Sequence, residues 1–540
     1  MKSLELLLLL VCSTFACKNN LTEQANTISF STSEPSSTKT SEPAFVNQFT
    51  LNEDQFLNLH FSLDQPLIHA LQQLGPNLSE EELLSKGNFQ FSFLVDGEVL
   101  YTENLNTGAG LKPFKTEKLD FVIPLVSPAQ IDFWGWFMWM RFMKLHGGQD
   151  AFTEGKHTLT VEIRTYLQDD ALKVGSLLAK GNIAVEVPKI KIDESLVPVQ
   201  EIQANSGWEI SKDHFDRDKI EALNRKIAEK RFEDINGIVV IKEGKLLIEE
   251  YFNGENRATL HNPRSVGKTI ASTVMGIAIE EGYIKDEELP LKDFYDLQSF
   301  ENYSPEKDAV TLKSLLTMSS SFLGDDNDWD NPGNEEYMYP TDDWVKFALD
   351  QPLDKDRVMG KDYTYFTAGV VVLGDILHQS VPGGLVEYAD KKVFEPLNIT
   401  KYQWQYTPQK VGNTAGGLQL RALDFAKYGQ LYKNKGKWDG QQILTEEWVE
   451  KSLSKQVSQA YAGIEKGYYG YLFWNKVYTV DGKDYEVSFC TGNGGNKIFV
   501  FKDIPFVVVI TASAYGQPTA HINADKIMQD YILPSVLTKE

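Results

Sequence analysis

The sequence predicts an α+β protein in two parts. A β-sandwich-like domain comes first, and a larger domain of helices and antiparallel strands follows. Three observations predict this. From Phe45 to Lys189, apolar and polar residues alternate between glycine-marked turns, as in "NFQFSFLVDGEVLYTENL". Such period-two alternation marks half-buried antiparallel strands. At mid-chain, "SVGKTIASTVMGIAIEEG" reads as a helix that is apolar around most of its circumference. A helix of that kind belongs inside a domain. Near the end, "FVVVITASA" is almost wholly apolar, as a strand covered on both faces should be.

The chain has 540 residues, 42% of them hydrophobic and 24% charged. That is a globular composition at a length that suggests more than one domain. The net charge of −23 argues against a general affinity for nucleic acid or anionic membrane surfaces, which need basic patches.

Residues 1–17 read as a lipoprotein signal peptide. In "MKSLELLLLLVCSTFACKNN" one lysine precedes a short apolar run, and small residues precede Cys17. The run is too short to span a bilayer. Cleavage before Cys17 and its acylation would leave a lipid anchor. The expected location is the cell envelope, in the periplasm or outer membrane of a Gram-negative bacterium. Once Cys12 is removed and Cys17 lipidated, only Cys490 remains, so no internal disulfide framework is expected.

Residues 18–44 are rich in Ser, Thr, Glu and Pro and read as a disordered tether. Residues 45–190 form the β-rich domain, with a turn at Asp96-Gly97. The aromatic stretch "FWGWFMWMRFM", Phe133 to Met143, is expected to pack against the neighbouring domain. Residues 191–210 read as a connector. Residues 211–540 open with a polar amphipathic helix, "DRDKIEALNRKIAEKRF". The hairpin "INGIVVIKEGKLLIEEYFNG" then turns at Glu243-Gly244. Many helices follow, then the strands "NKIFVFKD" and "FVVVITASA" and a closing helix, "ADKIMQDYILPSV".

Ser265 stands three residues before Lys268 at the start of the mid-chain helix, on the same face. A serine hydroxyl is a poor nucleophile until a base takes its proton. A lysine can be that base when neutral, and burial favours the neutral form. A helix N-terminus adds N–H groups and a positive dipole end beside a forming oxyanion. The bland alternative is an N-capping serine and a lysine that reaches the surface. The same spacing recurs at Ser36–Lys39, Ser304–Lys307 and Ser452–Lys455. The first lies in the tether and the others on polar stretches, with no hydrophobic element to hold them.

Further segments follow in a telling order: "LKSLLTMSSSF", "YTYFTAGVVVLGDIL", "GGLQLRALDFAKYGQLYKNKGKWDGQQIL", "GYYGYLFW" and "TGNGGNKIFVF". Together with "SVGK", this set resembles the class C beta-lactamase and penicillin-binding-protein-like serine hydrolases. It covers about Trp208 to Leu537. The resemblance is nearest the 6-aminohexanoate-dimer hydrolase branch. It implies a beta-lactamase/transpeptidase-like domain, with an antiparallel sheet flanked by helices and a helical subdomain. It also implies Ser265 as nucleophile and Lys268 as base. Tyr365 would assist proton transfer, and Tyr363 is its rival for that place.

Two positions depart from the family pattern. Thr367 stands where the family often has Asn, which keeps a hydroxyl donor but loses two-sided amide bonding. Cys490-Thr491-Gly492 replaces Lys-Thr-Gly or His-x-Gly, so the cation that would pair with a substrate carboxylate is absent. The expectation is a neutral or amine-bearing substrate. Thr491, Gly492 and Asn493 would line the substrate or oxyanion site.

The acidic run "DDNDWDNPGNEE", Asp325 to Glu336, lacks the glycine and the glutamate of a calcium loop. It is expected to lie over the cleft mouth. His261 is expected to pack or line the cleft rather than act as a base. The histidines show no metal-ligand spacing, so neither metal nor cofactor is expected. The combined expectation is an anchored serine hydrolase that cleaves an amide or ester of a small-molecule or peptide-like substrate. The alternatives are a penicillin-binding D-alanyl peptidase, a beta-lactamase, or a non-catalytic envelope lipoprotein that retains the fold.

Overall fold

The computed structural model describes residues 25–34, 43–52, 55–127, 134–459 and 467–537. The expected signal peptide and Cys17 lie outside the described residues. The chain divides into two compact units, Met1–Ile190 and Lys191–Glu540.

In the first unit, a six-stranded sheet is built on the long hairpin Gly155–Gln168 and Leu172–Val187 and on the hairpin Gly87–Val95 and Glu98–Asn104. A four-stranded sheet contains Leu57–Ser62 and Asp120–Val126. The inward faces meet at Phe61, Phe89 and Phe121, whose rings stack or meet edge to face within 6 Å. This is a sandwich whose core is dominated by aromatic burial. The turn at Asp96-Gly97 has positive φ at both residues, as a tight hairpin demands.

Two expectations for this unit are corrected. Part of the expected tether is folded: Asn26–Thr27 pairs with Ala179 and Lys180, and Ser29–Ser31 pairs with Asn58 to His60. Ile28 and Phe30 are 3% and 2% exposed. They are isolated apolar residues in a polar stretch, yet their spacing of two sends both into the core while strand pairing satisfies the backbone between them. The aromatic stretch is also not reserved for a neighbouring domain. Its described part, Trp134–Met140 and the turn after it, packs on its own sandwich: Trp139 meets Phe93, Phe142 and Phe152, and Trp134 meets Phe91.

The second unit is built on an eight-stranded antiparallel sheet. Its order begins Lys245–Tyr251, Ile235–Lys242, Phe506–Ala512, Asn496–Phe501 and Lys483–Gly492. Alternate residues of the central strands feed two cores. Val507, Val509, Ile498 and Val500 join the core around helix Thr269–Glu280. Val508, Ile510, Phe499 and Phe501 join the core under helix Arg217–Ala228 and the C-terminal residues Ile527, Met528 and Ile532. Helices therefore cover both faces of the sheet, which is why its central strand is apolar without alternation. Every residue of the mid-chain helix from Thr269 to Ala278 is buried.

Candidate active site

Ser265 and Lys268 lie in a single 3-10 turn, Arg264–Lys268, that leads into the buried helix. Both residues thus precede the α-helix proper, one turn earlier than expected. Lys268 is 1% exposed. Its Nζ donates to Ser265 Oγ at 2.7 Å and to the carbonyl of Ala415 at 2.7 Å. It also stands 5.2 Å from the centre of the Tyr365 ring. The lysine is therefore buried with its hydrogen bonds directed, not snorkelled to the surface, and Ser265 makes no capping bond.

Ser36 and Lys39 lie outside the described residues, and the other two Ser-x-x-Lys spacings make no such contact. Lys307 is buried, against expectation, but it donates to the carbonyls of Glu301 and Leu349. Ser452 is also buried and donates to the Trp448 carbonyl, while Lys455 pairs with Glu486.

Of the rival tyrosines, Tyr365 is the one beside the pair. Burial holds its phenol above the ordinary tyrosine range, although Lys268 and the Ser265 hydroxyl both act to lower it. The phenol therefore carries its proton at rest. Its ring stacks on Trp474 at 5.9 Å. Tyr363 packs between Tyr469 and Trp474, and its buried hydroxyl has no hydrogen-bond partner among the described residues.

Two glycines let backbone close around Ser265. A Cβ on Gly492 would sit 1.9 Å from the Pro263 carbonyl and 2.9 Å from the Ser265 amide nitrogen. A Cβ on Gly416, whose φ is +149°, would sit 2.6 Å from the Arg264 carbonyl. Only glycine permits such approaches. Gly492 ends the strand Lys483–Gly492, so the end of that strand and the turn that carries Ser265 meet there. Asn493 follows at the rim: its side chain accepts from Gly516 N–H, and its carbonyl accepts from the Asn496 side chain. The Thr491 hydroxyl is 3.2 Å from His521 Nδ1. Burial and the neighbouring Lys497 push that imidazole down to about 4, so it is neutral at physiological pH. Cys490 is fully buried and its thiol is pushed up to about 12 by burial. It is a core residue.

Thr367 is 0% exposed and opens the helix Thr367–Ser380. Its N–H donates to Asp326 Oδ2 at 2.7 Å. Sequence reasoning placed Asp326 in an acidic loop and missed this role. The same carboxylate accepts from Glu335 N–H at 2.8 Å, and the Asp326 N–H donates to the Tyr365 carbonyl at 2.9 Å. Burial, and the charge of Glu335, push the Asp326 carboxyl up to about 6, with Lys268 acting against them. The Ala415 carbonyl was missed as well, although it directly precedes the glycines of the quoted "GGL" segment. His261 is buried, its Nε2 has no partner among the described residues, and burial lowers its pKa.

A family model described as Beta-lactamase matches residues 224–531, more than half of the 540 residues. The chain belongs to the beta-lactamase family. Beta-lactamase-family hydrolase architecture accounts for the second unit, and the β-rich first unit precedes the matched region. Several solved structures are similar. A protein from Bacillus anthracis assigned as a 6-aminohexanoate-dimer hydrolase is 18% identical, with TM-score 0.48, covering 63% of this chain and 89% of that one. An octameric penicillin-binding protein homologue from Pyrococcus abyssi is 20% identical, with TM-score 0.45, covering 58% of this chain and 76% of that one. A family VIII carboxylesterase is 15% identical, with TM-score 0.45, covering 61% of this chain and 98% of that one. No curated protein matches.

Proposed function

We propose that this beta-lactamase-family hydrolase works through an acyl-serine intermediate. Ser265 attacks an amide or ester carbonyl, Lys268 takes the serine proton, and Tyr365 delivers a proton to the leaving group. The backbone N–H of Ser265 and an N–H at the Gly492–Asn493 edge hold the oxyanion. Water then releases the acyl group. The observation that carries this reading is the 2.7 Å contact between Lys268 Nζ and Ser265 Oγ inside a buried turn. A positioned base is what a serine nucleophile needs.

Labelling with a fluorophosphonate tests the reading: the parent is expected to label and Ser265→Ala is not. Equal labelling of both would overturn it. A parent that does not label would favour a binding protein that retains the fold. Saturable labelling by fluorescent penicillin would favour a penicillin-binding or beta-lactamase role. The buried Cys490 in place of a cation speaks against that role. We further propose export and lipid anchoring at Cys17, which incorporation of labelled palmitate into the parent, but not into Cys17→Ala, would support.

A further inference from the structure

Lys268 Nζ is aimed by two acceptors, Ser265 Oγ and the Ala415 carbonyl, each at 2.7 Å. The serine stands in the same turn as the lysine, whereas the carbonyl comes from a distant one. Residues 413–417 form neither helix nor strand, so no regular ladder fixes the direction of that carbonyl. Its peptide joins Ala415 to Gly416, whose φ is +149°. Glycine gives such a peptide more ways to turn than any other residue would. A base that is 1% exposed therefore takes its aim from a peptide whose own direction has to be held by something else.

Asn413 holds it on both sides. The Asn413 side-chain Oδ1 accepts the Ala415 N–H at 2.8 Å, and the Asn413 main-chain carbonyl accepts the Gly417 N–H at 3.2 Å. The Ala415–Gly416 peptide lies between these two bonds. An asparagine that bonds the N–H two residues on locks a turn with its own side chain. Asn413 is itself fixed. It is 8% exposed, its N–H donates to the Gln405 carbonyl at 2.8 Å, and its carbonyl also accepts from Trp404 Nε1 at 3.0 Å. A continuous set of bonds thus runs from the strand Gln403–Trp404 through Asn413 and Ala415 to Lys268. The next side chain in the turn goes elsewhere: the Thr414 hydroxyl donates to the Val370 carbonyl at 2.8 Å.

We propose that Asn413 is a positioning residue for the reaction at Ser265: by fixing the Ala415 carbonyl, its side chain keeps Lys268 Nζ in line with Ser265 Oγ. It touches no reacting atom and acts through Ala415 and Lys268. A base displaced by about 1 Å can cost on the order of 10²-fold in rate, so a bond two steps removed from the nucleophile is felt in the chemical step. The proposal rests on the acyl-serine reading above.

The test is the concentration dependence of Ser265 labelling by a fluorophosphonate, read by intact-mass spectrometry. It separates the maximal labelling rate from the half-saturating probe concentration. Asn413→Ala removes the acceptor and is expected to lower the maximal rate at least tenfold. Its half-saturating concentration is expected to stay within threefold of the parent, which also reports that the variant is folded. Asn413→Asp keeps an acceptor oxygen at the same reach and is expected to recover most of the rate. Thr414→Val removes the bond to Val370 from the same turn. It is expected to lower the thermal unfolding midpoint but to leave the maximal rate within threefold of the parent. A parental rate in Asn413→Ala, an equal loss in Thr414→Val, or no recovery in Asn413→Asp would each overturn the assignment of Asn413. Absence of labelling in the parent would instead overturn the acyl-serine reading.

Discussion

The main-chain N–H of Asp326 donates to the Tyr365 carbonyl at 2.9 Å, while the Asp326 carboxylate accepts the N–H of Thr367 two residues further on. One residue from a distant loop thus holds the main chain on either side of Phe366, directly after the tyrosine. The carboxylate also accepts the Glu335 N–H in the helix Glu335–Met338, whose N-cap is Asn334. Removing it leaves two amides without their acceptor. Asp326→Ala is expected to lower kcat at least tenfold, through a displaced Tyr365, while Ser265 remains labelled slowly by a fluorophosphonate. Steady-state kinetics and labelling rates on the same preparation check this. A kcat equal to that of the parent would show that Asp326 does not position Tyr365.

The tyrosines give a sharp contrast. Tyr365→Phe removes the phenol beside Ser265 and Lys268 and is expected to cost about 10²–10⁴-fold in kcat/KM, the usual worth of a proton-transfer group. Tyr363→Phe removes a buried hydroxyl that has no partner among the described residues and is expected to change kcat/KM less than fivefold. Reversed effects would exchange their roles.

Gly492→Ala is expected to abolish measurable activity. The added methyl would fall 1.9 Å from the Pro263 carbonyl, so the strand end and the turn carrying Ser265 must separate. Thermal unfolding should show a folded protein, because the clash is at the end of a strand rather than in the cores of the sheet. Full activity in this variant would contradict the close approach.

The competing serines serve as controls. Ser304→Ala and Ser452→Ala should both label as the parent does. Ser452 is buried and donates to Trp448, so its loss should cost about 1 kcal/mol of stability, seen as a lower urea midpoint. Loss of labelling in either would undo the choice of Ser265.

Stability should depend on pH through Glu250. Burial pushes its carboxyl up to about 7, against hydrogen bonds from Gln200 and Asn224. The folded state therefore holds a proton that the unfolded chain releases near the ordinary value of 4.5. That contribution is full below about 4.5 and is lost as pH rises through about 7. Glu250→Gln should remove this slope, gaining on the order of 2–3 kcal/mol over the parent between pH 4.5 and 8. His521 acts in the opposite sense: held near 4 in the fold, it adds stability as pH rises from about 4 to 6.5. The difference between parent and variant unfolding curves is thus the measurement. Parallel curves would refute the buried proton.

The sequence by itself determined the features that repeat locally. Alternation determined the sandwich strands, all-round apolarity determined the buried helix Thr269–Glu280, and the uninterrupted run Phe506–Ala512 determined a strand covered twice. Helix context also picked Ser265 and Lys268 from equal spacings, because periodicity is written within a few turns of chain. The tertiary structure decided whatever joins distant segments. Ala415 meets Lys268 across 147 positions, Asp326 reaches Thr367 across 41, and Gly492 lies on a turn more than two hundred residues earlier. It also separated Tyr365 from Tyr363, drew Ile28 and Phe30 into a core, and buried Lys307. None of these leaves a local period, because each depends on which surfaces close packing brings together.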